Sequence, residues 1–296
     1  MTDYLLLALS TLAISSKALL CKALGVGKYS AKETLLLNCR SFLVAFLCSL
    51  LFVLNKLPQL FTISAFSLVL AIFFGLSIAL TQIFQAKAMG TGPASMVTLI
   101  YSCGFLLPIF YGLTFWSERA SLFQWIGIAV LLIVLFLCLE PKGGKGSVAK
   151  WLPFALITML GSGTNAIFQK THQYSAHAEE LHFFLVYALL FSAVFTGVAA
   201  LILRGASKET SSAPKKREAK RLWVPLCLGV CVGVMNFLNL YLSGKLPSVV
   251  LFPVCNIGSM LLTTMISAAI YRDKPSKRQG AGFALGIVAI LIIGLL

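Results

Sequence analysis

Paired carboxamide side chains are the first residues in this sequence whose spacing suggests a shared chemical task. Gln82 and Gln85 are three residues apart in one apolar stretch, and Asn236 and Asn239 are three apart in another. Residues three apart share one face of a helix, and a carboxamide both donates and accepts hydrogen bonds. Each pair therefore predicts either hydrogen bonds between helices or part of a site for a polar molecule.

Two cations, Lys17 and Arg40, also lie inside apolar stretches. Each is only a few residues from one end of its stretch, a depth of roughly 7–9 Å at the helical rise of 1.5 Å per residue. A side chain at that depth can extend to the surface. It can also pair with another group of the protein, or bind a carboxylate, phosphate or sulfate of a ligand. The sequence leaves these interpretations open for both residues.

Acidic residues are absent from the middle of every apolar stretch. A transport mechanism that exchanges protons for organic cations commonly uses a carboxylate inside the membrane, so the sequence disfavours that mechanism. The nine acids lie at the N-terminus, in connections or at helix ends: Asp3, Glu33, Glu118, Glu140, Glu179, Glu180, Glu209, Glu218 and Asp273.

Other chemistries have little support in the sequence. His172, His177 and His182 cluster near Glu179 and Glu180, but their spacing does not match a His-Glu-x-x-His zinc motif. Serine and cysteine triads, a P-loop and a dinucleotide fingerprint are missing. We therefore expect no enzyme activity, no catalytic residue, no metal and no cofactor. The basic stretch 204–221 is interpreted as a solvated connection rather than a nucleic-acid site.

Composition identifies the surroundings in which these residues act. Hydrophobic residues make up 59% of the 296 residues and charged residues only 11%, whereas a soluble domain has roughly 25% charged residues. Continuously apolar stretches in a bilayer must be helices, because lipid cannot satisfy an open backbone. The sequence thus predicts an all-α membrane protein with ten transmembrane helices, near 4–21, 34–54, 64–87, 93–116, 121–139, 151–169, 181–203, 222–243, 247–271 and 280–296.

The chain also repeats itself. Gly75 and Gly229 are 154 residues apart, and the same offset relates Gly104 to Gly258 and Ser102 to Asn256. Near the start the offset is 148, which relates Lys22 to Lys170 and Lys17 to Asn165; later it is 155, which relates Glu118 to Asp273. We predict two five-helix repeats, 1–140 and 151–296, joined by a linker, 141–150. Because five is odd, the repeats have inverted topology, and such proteins bind substrate near the midplane between repeats.

One pattern occurs in both repeats: a proline, an apolar helix with a central glycine, a break that contains an acid, and Gln-x-x-Gly before a closing helix. Its residues are Pro93, Gly104, Glu118, Gln124 and Gly127, then Pro247, Gly258, Asp273, Gln279 and Gly282. Twice within ten helices, this pattern resembles the EamA-like branch of the drug/metabolite transporter superfamily. The resemblance implies a ten-helix transporter fold that carries a small metabolite.

Basic residues in the connections predict the orientation. Numbered in chain order, the odd connections carry eighteen Lys and Arg, whereas the even connections carry four, Lys170 among them. Basic connections stay on the cytoplasmic side, so we expect the odd connections inside a plasma membrane and both termini outside. The resemblance favours termini inside, but for this chain the charge distribution is the stronger argument.

These expectations combine into one functional hypothesis. The protein is a secondary active or facilitative transporter that moves a small polar metabolite, anionic or zwitterionic, by alternating access as a monomer or homodimer. The rival hypotheses are a broad drug exporter with a wide aromatic cavity, and a non-transporting membrane protein with a packed centre. The predicted substrate-binding residues are Lys17, Arg40, Gln82, Gln85, Ser102, Asn165, Asn236, Asn239 and Asn256.

Overall fold

The computed structural model describes residues 2–23, 31–56, 60–92, 94–138, 148–206, 216–271 and 276–295. Within these ranges the chain is helical and has no β-strand, so the predicted all-α class is confirmed. Numbered in chain order, the α-helices are α1 Thr2–Ala23, α2 Ala31–Phe52, α3 Ala65–Thr91, α4 Ala94–Ser102, α5 Leu106–Phe115, α6 Leu122–Cys138, α7 Val148–Gln173, α8 Leu181–Ala206, α9 Lys216–Ser243, α10 Ser248–Pro253, α11 Ser259–Tyr271 and α12 Lys277–Leu295.

The helices have the length and composition of membrane segments. In the described part of the chain, eight helical segments are long and apolar enough to cross a bilayer, and two shorter apolar helices cover Leu122–Leu137 and Gly280–Gly294. The predicted boundaries are close to these bounds. The sixth helix ends later than predicted, since α7 reaches Gln173 rather than residue 169. The predicted linker, 141–150, overlaps α7 at its last three residues, and residues 141–147 lie outside the described ranges.

Two of the segments are divided near their middles. The chain forms a 3-10 turn over Cys103–Phe105 between α4 and α5, and a π-turn over Val254–Gly258 between α10 and α11. Gly104 and Gly258, which the repeat relates to each other, both lie in these turns. Pro108 has no N–H for the carbonyl of Gly104, so regular helical hydrogen bonding is interrupted there by the sequence itself.

Helix contacts occur in matched pairs. Helix α1 packs on α9 as α3 packs on α7, and α2 packs on α9 as α3 packs on α8. In addition α2 packs on α8, and α6 packs on α12. Each of these contacts joins a helix of the first half of the chain to a helix of the second half.

Two glycines allow close approach at two of these contacts. A Cβ atom at Gly75 of α3 would lie 2.7 Å from the Cβ of Phe191 in α8. A Cβ atom at Gly229 of α9 would lie 2.5 Å from the Cβ of Val44 in α2. Small residues at such positions let helix backbones approach closely in membranes. The repeat relates these two glycines, so equivalent glycines serve equivalent contacts.

The apolar interior consists of two main clusters, and each mixes the two halves of the chain. One cluster joins Phe105 of the 3-10 turn to Leu251 of α10, and both side chains are almost fully buried. The other joins Phe74 of α3 to Phe184 of α8, with ring centroids 5.9 Å apart. Close van der Waals packing of this kind is the main attraction between helices in lipid.

The described residues of the even connections meet at one end of the bundle, which we call the even face: residues 53–56, 60–64, 116–121, 174–180 and 244–247. The Ser64 hydroxyl donates a hydrogen bond of 2.6 Å to Glu180. The Tyr174 hydroxyl donates one of 3.2 Å to Glu118, and the backbone N–H of Ser248 donates one of 2.9 Å to the same carboxylate. Hydrogen bonds between connections therefore tie this face of the bundle together.

Candidate functional site

The amides of α9 join three parts of the bundle. The Asn236 side-chain oxygen accepts a 3.3 Å hydrogen bond from Gln169 of α7. The Asn239 side-chain oxygen accepts bonds of 2.6 Å from the Ser10 hydroxyl of α1 and 3.4 Å from the Cys255 thiol in the π-turn. Asn236 and Asn239 share one face of α9, and we call these two residues, together with Gln169, Ser10 and Cys255, the polar band.

Asn165 adds an unused acceptor to the polar band. It lies on α7 one turn before Gln169, so the two side chains share a helix face. The side-chain oxygen of Asn165 is buried and has no hydrogen-bond partner among the described residues. An unsatisfied buried acceptor costs about 1–3 kcal/mol, and a bound donor group would remove that cost. Asn165 is thus the residue of the polar band best suited to contact a ligand.

The amides of α3 are used differently from those of α9. Gln82 accepts a 2.9 Å hydrogen bond from the Asn38 side chain of α2. Gln85 is half-buried, and no hydrogen bond joins it to another described residue. The hydrogen bond of Gln82 thus joins α3 to α2 and not to the polar band. The amides of α3 and of α9 therefore have different hydrogen-bond partners.

Ser102 lies directly before the 3-10 turn, and Asn256 lies within the π-turn. Ser102 is buried at the end of α4. The Asn256 side-chain nitrogen donates a 2.9 Å bond to the carbonyl of Phe252, one turn earlier in its own helix. An asparagine that bonds its own backbone stabilises the local turn, so Asn256 here supports the π-turn.

The two cations predicted within the membrane have different surroundings. Lys17 is half-buried on α1 and lies within electrostatic reach of Cys231 on α9. Arg40 is exposed, and it continues a stripe of exposed leucines at three- and four-residue spacing along α2. The stripe comprises Leu43, Leu47 and Leu51. Such a stripe faces lipid in a membrane, so the structure places Lys17 between helices and Arg40 on the outer surface.

A third cation, which sequence reasoning assigned to a connection, is the one that is fully buried. Lys170 lies in the last turn of α7, with 0% of its side chain exposed, and forms an ion pair with Glu118, whose side chain is 5% exposed. The ammonium also donates a 3.0 Å hydrogen bond to the carbonyl of Leu246. Lys170 was missed because the predicted helix ended one residue before it.

Aromatic rings enclose the Lys170 ammonium. Its nitrogen lies 5.9 Å from the ring centre of Trp116 and 5.2 Å from that of Tyr174, which are distances typical of cation–π contact. Burial and the neighbouring Glu118 carboxylate raise the pKa of the Tyr174 phenol above its ordinary value. The phenol therefore stays protonated near neutral pH and donates its hydrogen bond to Glu118.

A tight turn presents Glu118 to these partners. Ser117 adopts a positive φ of 52°, which is uncommon for a residue other than glycine. The Glu118 N–H donates a 3.1 Å hydrogen bond to the carbonyl of Gly112 at the end of α5. A side chain at Gly112 would collide with the Glu118 carboxylate and would lie within 2.8 Å of the Ser248 hydroxyl. Glycine at this position thus leaves space beside the ion pair.

One signal in the sequence could have identified the ion pair. The repeat relates Lys170 to Lys22 and Glu118 to Asp273, so opposite charges recur at matched places. The side chain of Lys22 and all of Asp273 lie outside the described part of the structure. A lysine at a helix end in one repeat and an acid at a helix end in the other, found twice at equivalent positions, predict an ion pair between the repeats.

The histidines near the even face have separate structural contacts. His172 is buried, its Nε2 lies 3.2 Å from the Ser67 hydroxyl, and its ring stacks on Phe184. His177 stacks on Phe66 instead. Within the described ranges, no three His, Cys, Asp or Glu residues are arranged to hold a metal ion.

A cavity of about 380 Å³ opens on the even face. Its lining combines charged, polar and aromatic side chains, among them Gln173, Glu179, His182, Tyr241 and Lys245. This cavity lies at the surface, whereas the mid-depth amides Gln82, Asn236 and Asn239 are hydrogen-bonded to protein groups. This cavity and the predicted central site are thus in different places.

Comparison with known proteins identifies the architecture. No family model matches the sequence, and no curated protein matches it. A solved structure described only as "Crystal structure of protein" is similar to this chain with a TM-score of 0.79, at 16% sequence identity, over 99% of this chain and 96% of that chain. The likeness extends over nearly the full length of both chains, so the described helices belong to an architecture already seen by experiment.

Proposed function

We propose that this protein is a transporter that moves a small polar metabolite, zwitterionic or anionic, across a membrane by alternating access. In this proposal the ten apolar segments all span the bilayer as two inverted five-helix repeats, as in the drug/metabolite transporter superfamily. The mechanism is secondary active or facilitative. The polar band between the halves is the central binding region, and Asn165 contacts the ligand.

The matched helix contacts support the inverted repeat. A twofold relation between repeats would exchange α1 with α7, α2 with α8, and α3 with α9. Under that exchange the α1–α9 contact becomes the α7–α3 contact, and the α2–α9 contact becomes the α8–α3 contact; all four are observed. The equivalent use of Gly75 and Gly229 follows the same relation.

The observation that carries the proposal is the interruption of two equivalent helices, the second of which contacts the polar band. The turns at Gly104 and Gly258 divide each helix into halves that can tilt separately, since the continuous hydrogen-bond ladder is broken there. Cys255, which belongs to the second turn, bonds Asn239 of the polar band. A movement at this turn therefore changes the surroundings of the amides, as alternating access requires.

Charge supports an orientation with the even face outside the cell. Of the four basic residues that the sequence assigns to the even connections, Lys170 is neutralised by Glu118 inside the protein. The positive charge available to cytoplasmic lipid headgroups is thus even more concentrated at the odd connections. Plasma-membrane localisation remains part of this proposal.

Flux through reconstituted liposomes tests the proposal. Anionic, zwitterionic, neutral and cationic metabolites are compared, with and without a pH gradient and beside protein-free liposomes. We expect saturable flux of a zwitterionic or anionic compound that is lost in Asn165→Leu. The control variant Thr164→Val should retain the flux, because the Thr164 hydroxyl only forms a hydrogen bond to the backbone of its own helix. Flux of cations alone would contradict the charge preference and favour a drug exporter.

A second candidate function is supported by one observation. The amides Gln82, Asn236 and Asn239 are hydrogen-bonded to protein groups, which is the arrangement expected of a non-transporting membrane protein with a packed centre. Folded protein that gives no saturable flux in any class would favour this candidate. Retention of full flux by Asn165→Leu would instead leave the transporter but remove Asn165 from its binding site.

A further inference from the structure

The Glu118–Lys170 ion pair closes the even face between the two halves of the chain. Glu118 follows α5 in the first half, and Lys170 ends α7 in the second. The same two side chains also hold the backbone of Leu246 and Ser248 at the start of α10. Separation of this one pair would therefore break the direct charged link between the turn after α5 and α7.

Neither charge of the pair can be left alone without a large cost. Both side chains are almost completely removed from solvent, and a buried charge without a partner is strongly destabilising. A ligand with only an ammonium would satisfy Glu118 but leave Lys170 unpaired. A ligand with only a carboxylate would do the reverse. A zwitterion satisfies both at once, so it alone can separate the pair without leaving a buried charge.

The surroundings of the pair suit both ends of such a ligand. Trp116, Tyr174 and the Leu246 carbonyl form a shell that accepts an ammonium group, which Lys170 now occupies. Beside the pair, the Ser248 hydroxyl is fully buried, and no group in the described part of the chain forms a hydrogen bond with it. It is therefore available to a ligand.

The surface cavity is lined by residues that are next in sequence to those around the pair. Gly244 and Lys245 line the cavity, and the next residue, Leu246, binds the Lys170 ammonium through its carbonyl. Gln173, one residue before Tyr174, lines the same cavity. A volume of about 380 Å³ lies within the range of small-molecule sites.

We propose that a zwitterionic ligand binds from this cavity between Glu118 and Lys170, with its ammonium on the carboxylate and its carboxylate on the ammonium of the lysine. Binding separates the two charges of the protein and opens the even face. This inference rests on the proposed transport function and adds to it a first binding site, outside the polar band, together with the charge pattern that this site selects.

Matched sets of probes test the site on purified full-length protein in nanodiscs. One set is alanine, ethylamine and propionate; the other is phenylalanine, phenethylamine and 3-phenylpropionate. The readouts are the thermal unfolding midpoint and the fluorescence of Trp116, obtained by difference from Trp116→Phe. We expect a saturable change with a zwitterion, and none with its amine or acid at tenfold higher concentration. Equal responses to the separate halves, or no response to either zwitterion, would overturn the proposal.

Variants locate the response. The double variant Glu118→Gln with Lys170→Met removes both charges and leaves neither alone, and we expect it to weaken zwitterion binding about tenfold or more. Arg119→Gln removes the exposed neighbouring charge and should bind as the parent does. If the neutral pair does not fold, Glu118→Asp with Lys170→Arg keeps both charges, and binding should persist with altered affinity. Unchanged zwitterion binding in the neutral pair would contradict this site.

The binding and flux experiments fail independently of each other. Flux of a metabolite without any zwitterion effect on Trp116 would leave the transporter proposal and refute the ion-pair site. A zwitterion effect on Trp116, lost in the neutral pair but without flux in liposomes, would establish the binding site and refute transport.

Discussion

At the scale of single residues, the most informative feature is the Glu118–Lys170 ion pair, because both charged side chains are buried away from water. The desolvation of two charges offsets much of their attraction, so a buried ion pair contributes little net stability. The pair here has additional hydrogen bonds to Leu246, Ser248 and Tyr174. These bonds fix one arrangement of the connections, so the pair specifies the closed even face more than it stabilises the fold.

Single and double substitutions of this pair should therefore differ sharply. Lys170→Met alone leaves the Glu118 carboxylate buried and unpaired, and we expect a loss of about 3–5 kcal/mol in the free energy of unfolding. The double variant with Glu118→Gln should lose much less. Unfolding of both in mixed detergent micelles measures the difference. Equal losses in the single and double variants would show that the pair acts through packing instead of charge.

Lys17 and Arg40 provide a matched test of the central site. Lys17 is half-buried between helices, whereas Arg40 is exposed on the leucine stripe of α2. If Lys17 holds a negative group of the ligand, Lys17→Ala should abolish saturable flux, and Arg40→Ala should leave it within about twofold of the parent because its charge faces lipid headgroups. Liposome flux with equal amounts of folded protein measures both. Loss of flux in Arg40→Ala alone would reverse the assignment.

The sequence predicted the amides better than it predicted the ion pair. Asn236 and Asn239 share a face at helical spacing, and local periodicity is enough to see this. Lys170 could not be placed in the same way, because a buried lysine depends on a partner far along the chain. A helix end predicted at residue 169 instead of Gln173 then moved Lys170 into a connection. Helix ends are the least certain part of a sequence-based prediction.

At the scale of helices, the two interrupted segments are equivalent in sequence but differ in their contacts. A Cβ at Gly104 would lie 2.6 Å from the backbone oxygen of Met159 in α7. A Cβ at Gly258 would lie 3.3 Å from a methyl group of Thr11 in α1. The space beside Gly104 is therefore limited by backbone, whereas the space beside Gly258 is limited by a side chain that can shift.

Alanine should therefore have opposite effects at the two glycines. Gly104→Ala forces α7 away and should cost about 1–3 kcal/mol of stability. Gly258→Ala should be neutral or stabilise by about 0.5–1 kcal/mol, because alanine restricts the unfolded chain more than glycine does. Thermal unfolding of the two variants in one detergent provides the comparison. Similar losses at both sites would mean that the turns, and not the contact with α7, set the cost.

The existence of the helices was predictable, but the form of their interruptions was not. Continuous apolar stretches in lipid leave helix as the only local option. The glycines and Pro108 marked weak points along them. Whether a weak point becomes a 3-10 turn or a π-turn depends on neighbouring helices, since both replace the same hydrogen bonds. In the second turn Asn256 and Ser259 bond nearby carbonyls, which local sequence did not indicate.

At the scale of the whole molecule, the orientation is open to a direct test. An epitope inserted after Ala176, in an even connection, should be reached by antibody on intact cells. The same epitope inserted between Ser211 and Ser212, in the basic odd connection, should be reached only after the cells are permeabilised. The opposite result would place both termini inside, as the family resemblance implies.

The division of the ion pair between the two halves affects how the protein is made. Glu118 leaves the ribosome well before Lys170, and its other partner, Ser248, is 130 residues further along the chain. The hydrogen-bond acceptor of Ser10, Asn239, likewise follows it by 229 residues and is made much later. During synthesis the first half of the chain therefore carries a carboxylate and a hydroxyl whose partners have not yet been made. Both groups gain these partners only when the second half is made, so a chain truncated after its first half leaves Glu118 and Ser10 without them.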